Sequence, residues 1–280
     1  NDPYKSRGLV AYDMELVETR IKELGSQAMA LMHRNDYKTE KTVTQDEIKT
    51  AFSDVTFTED PQEWFSDTVK TQVGTVTEIT LCNTKIKGAV FREKLSLRSQ
   101  NFDIEFIDGD FKITVRGYGH GVGMSQNGAN FYAMYSGWTY QDILFHYYPG
   151  TYLMNTGTAG SEKVTVAGVS GDVLSTVAGI VYREVGGSMS TEAIKAQAVA
   201  VYSYIKYYGN DSHDLRMKSN PPQNVIDACA SVLGEALYYN GEYALTMFGA
   251  SSGGTTANCY DVFSKDIPYL RSVKSEYDAS

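Results

Sequence analysis

Residues 117–129 read GYGHGVGMSQNGA, a stretch with too much glycine for a strand and too constrained in composition for a linker. It follows two alternating apolar runs, 102–106 and 111–115, which flank Asp108-Gly109. Alternating runs around an Asp-Gly pair are typical of a β-hairpin. The sequence therefore predicts a hairpin that leads straight into a constrained glycine-rich loop.

Helical signals precede the hairpin. The spacing of apolar residues predicts a helix around Glu15 to Met32, and Thr44 with Glu47 forms a capping box that opens a short helix through Phe52. We interpret both stretches as scaffold rather than as chemistry.

After the glycine-rich loop, helices and turns are mixed without a βαβ rhythm. Residues 155–163 are small and polar and are the best candidate for a linker, and Asn240-Gly241 predicts a second hairpin turn. The mixture predicts an α+β fold of helices and antiparallel hairpins. The predicted helices are Asn130–Tyr135, Tyr140–Tyr147, a segment from Val173 to a stop at Gly186-Gly187, Thr191–Tyr208 capped by Ser190, and Asn224–Leu233.

Composition narrows the class of protein. With 280 residues and 42% hydrophobic content the chain can bury a core, and its net charge of −9 without a basic stripe argues against nucleic acid as a partner. No stretch approaches the ~18 to 20 apolar residues that span a bilayer. Because the chain begins at Asn1 without a start Met, we expect a mature or trimmed soluble portion that lacks any signal or membrane anchor.

The sequence gives little sign of a metal or redox site. Neither a CxxC pair nor an HExxH motif is present, so a metal site on His120, His146 and His213 is disfavoured, and His146 among aromatics reads as a packed structural histidine. One cysteine must be unpaired, and whether the other two bridge stays open. The three cysteines are Cys82, Cys229 and Cys259.

Glu184 is the candidate acid/base. It lies at the C-terminal end of a predicted apolar helix, where the negative end of the helix dipole and apolar neighbours both favour a protonated carboxyl group. A general acid needs that form near neutral pH, provided that Arg183 points away. The alternative is a solvated residue at a helix end, which is the common situation for a glutamate.

His120 lies inside the glycine-rich loop, with Ser125 and Gln126 shortly after it. Such a loop can bind a ligand through exposed backbone N–H groups and side-chain donors. The alternative is a Ser/His nucleophile pair, for which the sequence offers no third residue to orient the base.

Several blocks resemble one family. Residues 117–129, followed by ILFHYYPGT at 143–151, resemble the signature that closes the stage II sporulation protein D (SpoIID) family, which includes the amidase enhancer LytB. Residues 180–205, IVYREVGGSMSTEAIKAQAVAVYSYI, resemble the family's segment with its acidic residue before a long helix. Residues 89–102 and 234–256 also agree, and a match over several blocks is more specific than a single motif.

The resemblance implies a SpoIID-like catalytic domain with a smaller accessory subdomain, and a lytic transglycosylase activity. Such an enzyme cuts the MurNAc–GlcNAc bond of glycan strands, typically stripped of stem peptides, during engulfment in sporulating bacteria. The family's catalytic glutamate aligns with Glu184. By the same carry-over, the residues expected to bind substrate are His120, Ser125, Gln126, Ser251, Ser252 and Thr255.

The resemblance also implies the surroundings of the protein. It places the chain outside the cytoplasm, in the cell wall or intermembrane space, with peptidoglycan glycan strands as partner. The alternative function is a non-catalytic glycan-binding module that enhances a partner cell-wall amidase. Some relatives carry a zinc-binding Cys/His insertion where this chain has only SHDLRMKSNPPQ at 212–223, so we expect no zinc and no cofactor.

The chain departs from the family pattern in two residues and in order. Val185 stands where Met is usual, and Val201-Tyr202 where Ala-Arg is usual. The blocks that close the family domain come first here, so the chain resembles a circular permutation. The corresponding division is a mostly helical accessory segment 1–72, a C-terminal-type half 73–158 and an N-terminal-type half 159–280.

Two structural expectations follow from this order. Glu184 and His120 should line one cleft. The segment 277–280 should continue into Asn1 as one polar surface loop, with the two termini within roughly 15 Å.

Overall fold

The computed structural model describes residues 38–278, in which helices are interspersed with short strands. The helices are α1 (Gln45–Ala51), α2 (Gly88–Lys94), α3 (Gln126–Ser136), α4 (Tyr140–Tyr147), α5 (Val173–Val185), α6 (Thr191–Tyr207), α7 (Gln223–Ser231) and α8 (Cys259–Phe263), with 3-10 turns at Pro61–Glu63 and Glu276–Asp278. The strands are β1 (Lys38–Val43), β2 (Phe65–Lys70), β3 (Val76–Leu81), β4 (Thr84–Lys87), β5 (Asn101–Ile107), β6 (Asp110–Arg116), β7 (Met124–Ser125), β8 (Tyr152–Asn155), β9 (Lys163–Val166), β10 (Val169–Asp172), β11 (Asp211–Ser212), β12 (Glu235–Tyr239), β13 (Glu242–Tyr243) and β14 (Phe248–Gly249). The longer strand pairs are antiparallel, and the fold is α+β as predicted.

The first core lies between two antiparallel sheets, β1-β6-β5 and β2-β3-β4, with α1 and α2. The predicted hairpin is formed, with Phe102 opposite Val115 and both side chains buried. The predicted capping box also opens α1, where the Thr44 N–H donates to Glu47 Oε2 at 2.8 Å. The local signals in this part of the chain therefore coincide with the structure that forms.

The segment 1–72 differs from the expectation of a mostly helical segment. Its predicted helix Glu15–Met32 lies outside the described residues, and residues 38–72 contain two strands besides α1 and a 3-10 turn. The strand β1 was missed because it is a polar edge strand in which only Val43 is buried. It forms by pairing with β6, a contact that no local pattern announces.

The second core is helical. The helices α5 and α6 pack against each other and against α7, and the sheet β13-β12-β8 lies on α6. The predicted boundaries of the two central helices are close to those observed: α5 ends before Gly186, which has φ +69°, and Ser190 caps α6. The predicted hairpin at Asn240-Gly241 joins β12 to β13.

Two predictions between these elements have different outcomes. No residue of 155–163 is buried, as expected of a linker, although Thr158 Oγ1 and the Tyr202 hydroxyl are within hydrogen-bond distance at 2.5 Å. The helix predicted at Asn130 instead begins at Gln126, because Ser125 caps it by accepting a hydrogen bond from the Gly128 N–H at 3.1 Å.

The glycine-rich loop lies where the two cores meet. The first core draws on residues 43–115 and the second on residues 122–270, whereas the segments proposed from sequence end at 72 and 158. The loop is joined to both sides, since the Gly119 N–H donates to the Arg98 carbonyl at 2.9 Å and the Tyr118 N–H donates to the Ser251 carbonyl at 2.9 Å. Within residues 38–278, no helix is both long and apolar enough to cross a membrane.

Candidate functional site

Glu184 and Gln126 meet across the second core. Glu184 is an exposed residue in the last turn of α5, and Gln126 is the buried first residue of α3. The Gln126 amide donates a hydrogen bond from Nε2 to Glu184 Oε2 at 3.2 Å. In residues 38–278, no Lys, Arg or His nitrogen lies within 4.0 Å of the Glu184 carboxylate, so Arg183 does not neutralise it.

Helix ends fix both side chains. Gly186, in a left-handed conformation, ends α5 directly after Val185, which is buried and anchors the last turn. Ser125 starts α3 and so sets the direction in which Gln126 leaves the helix. The pair is therefore held by backbone geometry on both elements.

Three of the predicted substrate-binding residues converge on a carboxylate that the sequence interpretation placed elsewhere. Asp278 Oδ2 accepts hydrogen bonds from Ser125 Oγ at 2.6 Å, from the Ser252 N–H at 2.5 Å and from Ser252 Oγ at 2.7 Å. Asp278 Oδ1 accepts one from Ser251 Oγ at 2.7 Å. These hydroxyls are therefore committed to the protein itself.

Asp278 corrects the expectation that residues 277–280 form a polar surface loop. Its side chain is fully buried, in the 3-10 turn Glu276–Asp278. Burial raises the pKa of Asp278 above its usual value, and the hydrogen bonds from Ser125, Ser252 and Ser251 act in the opposite direction. The other half of that expected loop, from Asn1, and the last two residues lie outside the described part of the chain.

His120 holds the glycine-rich loop together. Its Nδ1 accepts a hydrogen bond from the Val122 N–H at 3.0 Å, and its ring meets the edge of Phe263 with ring centres 5.4 Å apart. Burial, together with the nearby positive charge of Arg92, lowers the pKa of His120 to about 4. The imidazole is thus neutral at pH 7, and Ser125 bonds to Asp278 rather than to His120, so the geometry does not support the Ser/His alternative.

A polar cavity of about 290 Å³ of empty space, open on one side, lies at the junction of the two cores. It brings together four of the predicted residues, His120, Ser251, Ser252 and Thr255, with side chains from the first core. Ser125 and Gln126 do not line it, and neither does Glu184. The first-core residues in its wall are Val73, Thr75, Ser99, Gln100 and Asn101.

Ser125 connects the cavity to the Glu184 pair. It directly precedes Gln126, and it shares the Asp278 carboxylate with Ser251 and Ser252 of the cavity wall. The short parallel pair of β7 and β14 also places Gly249 beside Ser125. One hydrogen-bonded chain thus runs from the candidate acid to the cavity wall.

Comparisons with known proteins give the same relatives as the motifs. The chain is 52% identical over 66 residues to stage II sporulation protein D of Bacillus amyloliquefaciens, which covers 24% of this chain and 19% of that protein. It is 50% identical over 66 residues to stage II sporulation protein D of Bacillus subtilis (strain 168), with the same coverage. It is 29% identical over 114 residues to the amidase enhancer of Bacillus subtilis (strain 168), covering 36% of this chain and 15% of that protein.

This chain belongs to the SpoIID/LytB family. No family model matches it. The matched residues span about a fifth of the length of the SpoIID relatives, 19% of each.

The SpoIID/LytB frame gives the remaining histidines and cysteines structural surroundings. His146 Nε2 lies 2.7 Å from the Lys274 carbonyl and its ring packs against Trp138, as expected of a packed histidine. His213 is exposed, in the segment where some relatives carry a zinc-binding insertion. Among residues 38–278 no three His, Cys, Asp or Glu side chains are placed to hold a metal ion, and the free thiols are those of Cys82, Cys229 and Cys259.

Proposed function

We propose that this chain is a peptidoglycan lytic transglycosylase that cleaves the MurNAc–GlcNAc bond of glycan strands and leaves 1,6-anhydro-MurNAc ends. The single observation that carries the proposal is the exposed Glu184 carboxylate, held by the Gln126 amide and free of any cation in residues 38–278. The SpoIID relatives support a role in sporulation, at the cell wall and outside the cytoplasm.

One carboxyl group is sufficient for this reaction. In the protonated form Glu184 gives its proton to the glycosidic oxygen, which leaves with the bond electrons. The resulting carboxylate then accepts the proton of the sugar's own C6 hydroxyl as that oxygen closes the 1,6-anhydro ring. Because no external water is activated, the second carboxylate of ordinary glycosidases is unnecessary.

Gln126 suits the change of role from acid to base. Its amide N–H donates to Glu184 Oε2, which fixes the carboxyl plane and leaves Oε1 to carry the transferred proton. Donation stabilises the carboxylate that exists between the two proton transfers. Gln126 is therefore proposed as a positioning residue rather than as a proton carrier.

The glycan is proposed to run from Glu184 towards the cavity at the junction of the cores. Because Ser125, Ser251 and Ser252 donate their hydroxyls to Asp278, they are proposed to shape the wall through their backbone. Thr255 and the neutral His120 remain as side chains of the wall that can face sugar hydroxyls or N-acetyl groups.

A second function is favoured by the relative named amidase enhancer. In that case the chain binds glycan without cleaving it and stimulates a partner cell-wall amidase. Both functions predict binding to peptidoglycan, but only the transglycosylase changes the glycan ends.

Mass analysis of digested glycan strands tests the proposal. Purified strands without stem peptides should yield fragments whose MurNAc ends are one water lighter than the hydrolysed ends. Hydrated reducing ends would show a hydrolase instead. Intact strands, together with stimulation of an added cell-wall amidase, would establish the amidase-enhancer function.

A further inference from the structure

Tyr118 presents an exposed ring at the entrance of the glycine-rich loop. Its backbone is clamped by two hydrogen bonds with Ser251, from the Tyr118 N–H at 2.9 Å and from the Ser251 N–H at 3.0 Å. Its side chain is nevertheless 53% exposed. The ring is thus held in place by the main chain while its face stays open to solvent.

Arg98 lies over that ring. The central carbon of its guanidinium group is 5.4 Å from the centre of the Tyr118 ring, a cation–π distance, and its own carbonyl accepts the Gly119 N–H at 2.9 Å. Within residues 38–278 no carboxylate oxygen lies within 4.0 Å of this guanidinium group, although the chain has 34 acidic and 25 basic residues. An exposed, positioned and unpaired arginine in an acidic protein is a site for an anion.

Arg92 adds a second positive charge behind the first. Its Nε donates to the Leu97 carbonyl at 3.2 Å, and its charge is close enough to lower the pKa of His120 and to act on Tyr118. The neighbouring Glu93 opposes this charge in part, without an ion pair within 4.0 Å among the described residues. The surroundings of His120 are therefore positive.

Phe263 supplies another aromatic surface next to His120. It is the last residue of α8, it is 39% exposed, and its ring meets the His120 ring at 67°. Open aromatic faces are suited to the apolar face of a pyranose ring, and a guanidinium fork is suited to a carboxylate.

We propose that Arg98, Tyr118 and Phe263 form a subsite for a sugar that carries a carboxylate. This inference rests on the proposed function, under which the ligand is N-acetylmuramic acid with its lactyl carboxyl group free. When a stem peptide is attached, that carboxyl group is an amide and has no charge for Arg98 to bind. The subsite therefore selects glycan from which the peptide has been removed.

Binding measured by calorimetry tests the subsite apart from catalysis. In a Glu184→Gln background, which prevents turnover, two tetrasaccharides are compared: one of alternating GlcNAc and peptide-free MurNAc, and chitotetraose, which has no lactyl group. Arg98→Gln should weaken the MurNAc ligand by about tenfold to a hundredfold, as expected for loss of a charge-assisted hydrogen bond, and leave chitotetraose unchanged. Tyr118→Leu should weaken both ligands, because both have pyranose rings.

The matched control is Lys85→Gln, which removes an exposed charge paired with Glu78 in the first core and should change neither affinity. Equal losses for both ligands in Arg98→Gln, or no loss for either, would overturn the assignment to a carboxylate. Arg98→Lys, which keeps the charge without the fork, should give an intermediate loss. Failure of the proposed function shows separately, as wild-type protein that binds in an Arg98-dependent way but releases no anhydro ends.

Discussion

Gln126 Nε2 donates to Glu184 Oε2 at 3.2 Å, although the two residues are 58 positions apart in the chain. The bond joins the start of α3 to the end of α5. It gives the candidate acid/base a fixed orientation that a glutamate at a helix end would otherwise lack.

Removal of this donor should lower turnover more than binding. We expect Gln126→Leu to reduce kcat on peptide-free glycan by about tenfold to a hundredfold, with KM changed by no more than about twofold. The control is Gln62→Leu, an exposed glutamine in the first half of the chain. A rise in KM at unchanged kcat would instead make Gln126 a substrate-binding residue.

Asp278 should be essential to the fold of the site. Asp278→Ala leaves the Ser125 and Ser251 hydroxyls and the Ser252 N–H buried without their acceptor. We expect a loss of roughly 2–4 kcal/mol in the free energy of unfolding, measured with urea. A loss below about 0.5 kcal/mol would show that the C-terminal segment is not part of the cooperative structure.

The charge of Asp278 also predicts a dependence on pH. Because burial raises its folded pKa above the ordinary value, the folded protein binds this proton more tightly than the unfolded chain does. Its stabilising contribution is complete below the unfolded pKa and is lost as pH rises through the folded pKa. The stability of wild type relative to Asp278→Asn should therefore fall as pH is raised from about 3.5 to neutral, and a rise would contradict the raised pKa.

His120 should behave in the opposite way. Burial lowers its folded pKa from 6.5 to about 4, so its contribution to stability is present above pH 6.5 and is lost as pH falls towards 4. Wild type should lose on the order of 1–2 kcal/mol more than His120→Asn between pH 7 and pH 4.5. An NMR titration in which the His120 ring titrates near pH 6.5 would refute this environment.

Gly128 should tolerate no side chain. A Cβ at this position would lie 2.2 Å from both Ser275 Oγ and the Tyr147 hydroxyl, which join α3, α4 and the C-terminal segment. We expect Gly128→Ala to lower the unfolding free energy by roughly 2–4 kcal/mol. In the control Gly160→Ala the nearest atom, on Leu233, is 3.4 Å away, and the change should stay within about 1 kcal/mol.

Local sequence signals predicted the elements whose causes are local. The Asp108-Gly109 turn, the Thr44 capping box and the stop at Gly186 are each set by residues within a few positions of one another. The polar edge strand β1 could not be predicted in this way, because its partner β6 lies about 70 residues away in the chain.

The candidate site shows the same limit. Glu184 and Gln126 were singled out through the family resemblance, and helix ends alone would not have paired them. Asp278 was missed because its partner Ser125 is 153 positions away and the surrounding sequence is polar. A run of serines such as Ser251-Ser252 signals a need for acceptors, but it does not say which carboxylate supplies them.

Digestion of peptide-free glycan strands by wild type and by Glu184→Gln, followed by mass analysis of the MurNAc ends, tests the central claim most directly. Glu242→Gln, a change at an exposed glutamate in β13, is the matched control. We predict anhydro ends from wild type and from the control, and none above background from Glu184→Gln. Anhydro ends released by Glu184→Gln at the wild-type rate would contradict the assignment of Glu184 as the acid/base.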